Sequence, residues 1–419
     1  MPHVSLSARS ALAIVALTFL GPNWLCARGH AMSYREATLF LHKHTQVVEL
    51  KGPAGARVAV CPAWQGRVMT STCAGPEGLS FGFINAPYIE QGKINRHFNN
   101  YGGEDRMWLS PEGGPFSLWF KPGDPQNLDH WFTAPAMNEG GWGVTASGSD
   151  FCRMQQRMKL ENASATQFDL AVVREVRLLA AAQLAQLFGA SAAEVMTAPS
   201  VKLVAYETAN SIQNQGSPLT KAKGLVSIWM LGMLNAGPDN VVIVPYKPGS
   251  DAQLGPVVKS DYFGAVPADR LKILSRAILF RADAQYRSKL GTSQRRACNV
   301  LGSIDFRAGV LTLVHFTMPD DPTKHPYMNN MWGLPQPAPY VGDVANTYND
   351  GPSAPGKPGM GNFYEIESVS PAAELKTGDT LVHRHRTVHI QAEPAVLERL
   401  ARDVLDVDLS QVRREMLGR

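Results

Sequence analysis

NFYEIESVSPAAELKTGDTLVHRHRTVHIQ, residues 362–391, is the stretch on which the reading of the chain turns. In FYEIES, Glu365 and Glu367 stand two apart, so on a strand they share one face while Tyr364 and Ile366 take the other. LKTGD (Leu375 to Asp379) has the composition of a tight turn. The run that follows puts His383, His385, Thr387 and His389 on one face and Arg384, Arg386, Val388 and Ile390 on the other. Read this way, the stretch is one β-hairpin in which a histidine row facing the glutamates could move protons near neutral pH. Two other readings fit the same residues. Cross-strand Glu to His or Arg pairs can simply stabilise a solvated sheet face, by a few tenths to about 1 kcal/mol each. A His-x-His pair can also hold a metal, although no third ligand stands out.

Outward from this stretch the chain keeps a β character. Short β-like runs separated by Gly, Pro, Asn and Asp include Leu79 to Ile84, Phe116 to Phe120, Gly224 to Leu231, Asn240 to Tyr246 and Gly309 to Met318. In FDLAVVREVRLL, Arg174 shares a period-two row with Phe168, Leu170, Val172, Val176 and Leu178, and so calls for a buried carboxylate partner. Helical spacing is confined to residues 180–191, ending at Gly189, and to AVLERLARDVL after Pro394. Residues 340–361, rich in turn formers, read as a long loop over one end of the sheets. No repeat or linker divides residues 32–419, so they read as a single all-β domain with a few short accessory helices.

Composition narrows the function. The 40 Lys and Arg against 36 Asp and Glu leave a net charge of +4, and the basic residues are scattered, which argues against a nucleic-acid partner. Residues 1–31 read as a signal peptide: His3 and Arg9 precede the apolar run ALAIVALTFL, which is too short to span a bilayer, and small residues follow. Cleavage after Ala31 is favoured over Ala27, and Leu25 before Cys26 argues against a lipid anchor. No later run is long and apolar enough for a membrane helix, so the mature chain is expected to be periplasmic or secreted. Cys61 and Cys73 flank an eleven-residue loop and are candidates for a disulfide, the alternative being buried thiols; no C-x-x-C pair suggests zinc, and no metal or other cofactor is expected.

A second candidate wall is YGGEDRMW (Tyr101 to Trp108), whose glycines allow close backbone approach and whose Glu104, Asp105 and Arg106 offer acceptors and donors to sugar hydroxyls. Trp108, Trp119, Trp229 and Trp332 could each stack on a pyranose ring or simply fill the core. His97 is a possible proton donor. Lys289 and Arg281 could bind an acidic sugar, or could form surface ion pairs of little consequence.

IESVSPAAELKTGD resembles the end of the galactose mutarotase (aldose 1-epimerase) pattern, and on that match Glu367 takes the place of the general base. RHFNNYGGEDRMWLSPEGGPFSLWF, YETANSIQNQG, GLVSIWMLGM, KSDYFG, GDVANTYNDGP and FYEIESVSP together resemble an exported bacterial family of unknown function assigned to the same fold. The resemblance implies a galactose mutarotase-like β-super-sandwich with a carbohydrate ligand on a concave polar sheet face. It further implies proton transfer at a sugar by Glu367, assisted by Glu365, with an acid drawn from Glu104, Asp105, His97 or His383. Arg106, Trp108, Trp229, Trp332 and Lys289 would bind the sugar beside Glu104 and Asp105. The chain departs from the mutarotase pattern where the acid histidine should stand, because Trp229 to Gly232 occupies that region. KHPYMNN (Lys324 to Asn330) repeats the letters of the missing motif but comes too late in the strand order, so His325 is not carried over. A glycan hydrolase or lyase, or a non-catalytic glycan-binding protein, is the alternative on the same fold.

Overall fold

The computed structural model describes residues 32–354 and 356–419; the segment read as a signal peptide lies outside the described residues. Met32 to Arg419 form one compact unit. Two antiparallel sheets face each other. The larger has ten strands, with Val310–Phe316, Thr380–Gln391, Lys202–Asn214 and Gln167–Leu178 at its centre. The smaller has five, in the order Ser288–Ser293, Asp343–Asn349, Phe363–Val369, Ser227–Asn235, Arg106–Ser110. A third sheet, of three strands between Val48 and Thr72, flanks them. The all-β super-sandwich read from the sequence is therefore the architecture found.

The back of the ten-stranded sheet is covered by the short helices. Val241, Ile243, Leu311, Leu313, Val388 and Ile390 pack there against Leu184 and Met196, and against Leu397, Leu400 and Leu405 of Pro394–Leu405. The expected break at Gly189 is present: φ of 86° ends one helix and Ala190–Met196 begins the next.

Phe363–Val369 and Thr380–Gln391 do not pair with each other; the first lies in the five-stranded sheet and the second in the ten-stranded sheet. The turn at Gly378 thus carries the chain across the sandwich rather than closing a hairpin. Alternation then separates the two polar rows. Ile366 and Ser368 point inward toward the large sheet, and Glu365 and Glu367 point outward. The Ser368 hydroxyl lies 2.8 Å from His383 Nε2 and 2.9 Å from His385 Nδ1, so the histidines bond the opposite side of the strand from the glutamates.

Other expectations shift for local reasons. Asp343–Asn349 is a strand within the segment read as a loop; its turn-forming asparagines fit because Asn349 bonds Ala284 N and Tyr286 O across the sheet edge. Leu79 to Ile84 contributes isolated bridges only. Phe116 to Phe120 folds as a loop, because Ser117 Oγ accepts from the N–H groups of Trp119 and Phe120 and turns the chain. Cys61 and Cys73 are free thiols. The antiparallel register pairs Cys61 with Arg67 and Arg57 with Thr72, which leaves the two cysteines at opposite ends of their strands.

The layer between the sheets holds buried polar and charged groups, among them Arg174, Asp105, His383 and His385. Arg174, fully buried, finds its carboxylate in Asp105, and also bonds Asn210 Oδ1 at 2.6 Å and Gly66 O at 2.9 Å. Burial pushes the His383 imidazolium down to about 3, with His385 and Arg386 acting the same way, and that of His385 down to about 4 against the opposing pull of Asp105, with Arg174 and Arg386 adding to the fall. The unfolded chain therefore takes up protons below about pH 6.5 that the native protein refuses, and stability present at neutral pH drains as the pH falls from there toward 4. Urea unfolding should show a loss of roughly 2 kcal/mol per histidine between pH 7 and pH 5. A midpoint unchanged over that interval would contradict the assignment of both histidines to a dry interior.

Candidate functional site

The outward face of the five-stranded sheet is where the charged residues converge. Register places Arg106 beside Leu231, Glu367 beside Leu231 on its other side and beside Asn346, and Lys289 beside Tyr348. Glu367 is fully buried on this face. Lys289 Nζ lies 3.0 and 3.1 Å from its two carboxylate oxygens, and the Trp229 indole N–H donates to Oε2 at 2.8 Å. The same ammonium stands 4.8 Å from the centre of the Trp229 ring, so the tryptophan holds both members of the pair. Burial pushes the ammonium of Lys289 down, but Glu367, Glu112 and Glu365 outweigh it, and the net displacement is upward.

Glu365, two residues back on the same face, accepts from Arg106 Nη2 at 2.9 Å. Burial raises its carboxyl to about 7 against the pull of Arg106, and the neighbouring Glu367 charge adds to the rise. The Arg106 guanidinium packs 4.1 Å from the Trp108 ring centre and 4.7 Å from that of Phe98, while its Nε and Nη1 have no protein partner.

Loops close over this face and bring in residues that the sequence reading missed. Glu112, just past Arg106–Ser110, accepts from the Trp131 indole at 2.9 Å and lies within electrostatic reach of Lys289 and Glu367. Tyr262 donates its hydroxyl to Asp343. Gly291 makes room for that contact: a Cβ there would come within 2.6 Å of the Asp343 carboxyl and the Tyr262 oxygen. Burial raises the carboxyls of both Glu112 and Asp343. Trp108, Trp119, Trp131, Trp229 and Trp332 form one connected aromatic wall, with ring centres 5.3 to 6.4 Å apart between neighbours. A lone glutamate in a loop and single aromatics carry no periodic signal, which is why neither Glu112 nor Trp131 was visible in the pattern.

The structure thus brings together Glu365, Glu367, Arg106, Trp108, Trp229, Trp332 and Lys289. It does not bring Glu104, Asp105 or His383 to them. Glu104 accepts from Ser71 N and faces His389 at 3.8 Å, and Asp105 holds Arg174, both on the inner side of the small sheet. The shared site expected for Glu104, Asp105 and Glu367 is overturned: alternation turns Asp105 inward where Arg106 faces outward, and Glu104, which precedes the strand that begins at Arg106, turns inward to accept from Ser71 N. His97 is exposed, stacked on Phe132, with Nδ1 2.5 Å from Trp131 O, and lies at the rim behind Trp131. Arg281 belongs to the large sheet, bonded to Asp283 and Met416 O. His383 instead borders a cavity of about 600 Å³ at the mouth between the sheets, which is also lined by Thr317, His325 and Leu375. Among the described residues no group of His, Cys, Asp and Glu is arranged to hold a metal ion.

An antiparallel super-sandwich with an aromatic-walled, carboxylate-rich face on its smaller sheet is the class of protein defined here. The chain belongs to the family described as "Family of unknown function (DUF6786)", whose model matches residues 32–416. No curated protein matches it significantly. Among solved structures it is similar to a putative aldose 1-epimerase from Klebsiella pneumoniae subsp. pneumoniae, at 10% identity over 86% of this chain and 83% of that one, with a TM-score of 0.49. It is similar to a putative aldose 1-epimerase from Escherichia coli K12, at 9% identity over 83% and 99% of the two chains, TM-score 0.48. A putative mutarotase from Salmonella typhimurium is similar at 10% identity over 83% and 90%, TM-score 0.46.

The Lys289 to Glu367 contact is 11% exposed on the lysine side and 0% on the glutamate side. Removing one partner of such a pair leaves a desolvated charge. Lys289→Met should cost about 3–5 kcal/mol in urea unfolding, and Lys289→Met with Glu367→Met should recover much of it. A single variant as stable as the wild type would show that Glu367 is not held as described.

Proposed function

We propose that this chain is an exported carbohydrate-active protein that takes a sugar over Glu367 and transfers a proton at its anomeric centre. The observation that carries this is a carboxylate fixed by an ammonium and an indole N–H at the foot of a tryptophan wall. Every contact Glu367 makes is from a donor, which suits a group that accepts a proton. Tryptophan faces offer stacking area for a pyranose ring, and the two unpartnered donors of Arg106 offer hydrogen bonds to its oxygens. The residues around the face that keep some exposure include Glu112, Trp131, Tyr262, Lys289, Trp332 and Asp343, and a ligand enters from that side.

In ring opening, Glu367 would take the proton of the anomeric hydroxyl as the bond from C1 to the ring oxygen breaks. A second group would give a proton to that oxygen, and reclosure on the other face would return both protons. The test is exchange between anomers, followed by NMR across a panel of aldoses. Glu367→Gln keeps the size of the side chain but cannot act as base, and should lower the rate about 10²- to 10⁴-fold while sugar binding, read by thermal shift, changes little. Full turnover in Glu367→Gln removes it as base. Binding without turnover in the wild type makes the protein a glycan-binding relative of an enzyme fold.

Export rests on residues 1–31 and is supported by the start of the family match at residue 32. Cell fractionation with N-terminal sequencing should recover a chain beginning at Met32 outside the cytoplasm. A cytoplasmic chain that keeps Met1 would refute it.

A further inference from the structure

Glu367 lacks the expected proton donor beside it: Trp229 stands where the mutarotase resemblance expects a histidine, and His383 lies on the far side of the strand. We propose that Glu112 is the general acid, working from the covering loop against Glu367 on the sheet below. This inference rests on the proton-transfer reading of the site and deepens it.

Three carboxylates besides Glu367 surround Lys289, and their contacts distinguish them. Glu365 is bonded directly to the Arg106 guanidinium, so giving it a proton would break that ion pair. Asp343 is engaged by the Tyr262 hydroxyl at the outer edge of the sheet. Glu112 is held within the aromatic wall by the neutral Trp131 indole, and its backbone is fixed through Glu112 N to Asn330 Oδ1 at 2.8 Å. It also comes from a different segment: Glu365 and Glu367 stand on one face of one strand, whereas Glu112 follows the end of the edge strand Arg106–Ser110. The two are tied to one aromatic cluster: Trp229 bonds Glu367, Trp131 bonds Glu112, and Trp119 stands between the indoles at 6.2 and 6.4 Å.

The charged groups that face Glu112 are Lys289, Glu367 and Arg106. Burial raises its carboxyl, and the Glu367 charge pushes the same way against the pull of Lys289. Two carboxyl groups in one site whose surroundings differ in this way suit an acid and a base. In the forward step Glu112 would give its proton to the ring oxygen as the C1 bond breaks, while Glu367 takes the hydroxyl proton and C1 becomes the aldehyde carbon. Lys289 and the Trp131 indole would stabilise the Glu112 carboxylate until reclosure reverses both transfers.

Two measurements test this. In anomer exchange, Glu112→Gln should lose about 100-fold or more in rate and should lose the fall in rate at high pH that marks a required acid, with thermal shift on the same sugar showing an intact site. In ¹³C carboxyl NMR of the whole protein, a resonance absent from Glu112→Gln should titrate above the ordinary carboxylate range. If wild type exchanges anomers and Glu112→Gln keeps both rate and pH profile, the acid assignment fails and the reading of the site stands. If wild type exchanges no aldose, the reading itself fails and the assignment with it. If the Glu112 resonance titrates in the ordinary range, the acid role is refuted whatever the kinetics show.

Discussion

The contact between Lys289 and Glu367 is the constraint around which the outer face of the small sheet is arranged. A carboxylate with no exposure is stable only if its oxygens are fully engaged, and here an ammonium and an indole N–H engage them. Each partner makes further demands. Lys289 needs an apolar bed for its ammonium, supplied by Trp229, and Trp229 needs neighbours, supplied by Trp108 and Trp119. Glu365 requires its own cation, and Arg106 fills that role while lying between Trp108 and Phe98. The roofing loops then complete the enclosure with Trp131 and Trp332.

The same strand serves a different chemistry on its other side. Ser368 bridges two buried imidazoles, while Asp105 and Arg174 neutralise each other a short way off. These groups are consumed by one another and give the inter-sheet layer a specific polar register in place of a purely apolar core. Period-two alternation keeps this structural network apart from the outer face, although the residues of the two are neighbours in sequence at Asp105 and Arg106 and interleaved from Glu365 to Ser368.

That interleaving marks how far the sequence could be read. Alternation correctly put Glu365 and Glu367 on one face of their strand and His383, His385 and His389 on one face of theirs, because that depends on strand geometry alone, but it did not show that the two rows lie apart. It could not say that the two strands join different sheets, since a turn sequence such as LKTGD is as compatible with a crossing as with a hairpin. The buried partner demanded by Arg174 was legible in the apolar row around it, but its identity as Asp105 was not. Asp105 and Arg106, adjacent on the chain, point to opposite faces, so YGGEDRMW does not offer both to one site. Glu112, Tyr262 and Asp343 reach the face through loops or a sheet edge, where no periodicity announces them.

The central claim, that the outward face at Glu367 receives the ligand, is tested most directly by crystals of the mature protein soaked with an aldose that raises its thermal stability. The account predicts electron density for the sugar against the tryptophan wall, with its anomeric hydroxyl within hydrogen-bonding distance of Glu367 and its oxygens near Arg106. Sugar density confined to the cavity beside His383, with the Lys289 and Glu367 contact undisturbed, would contradict it.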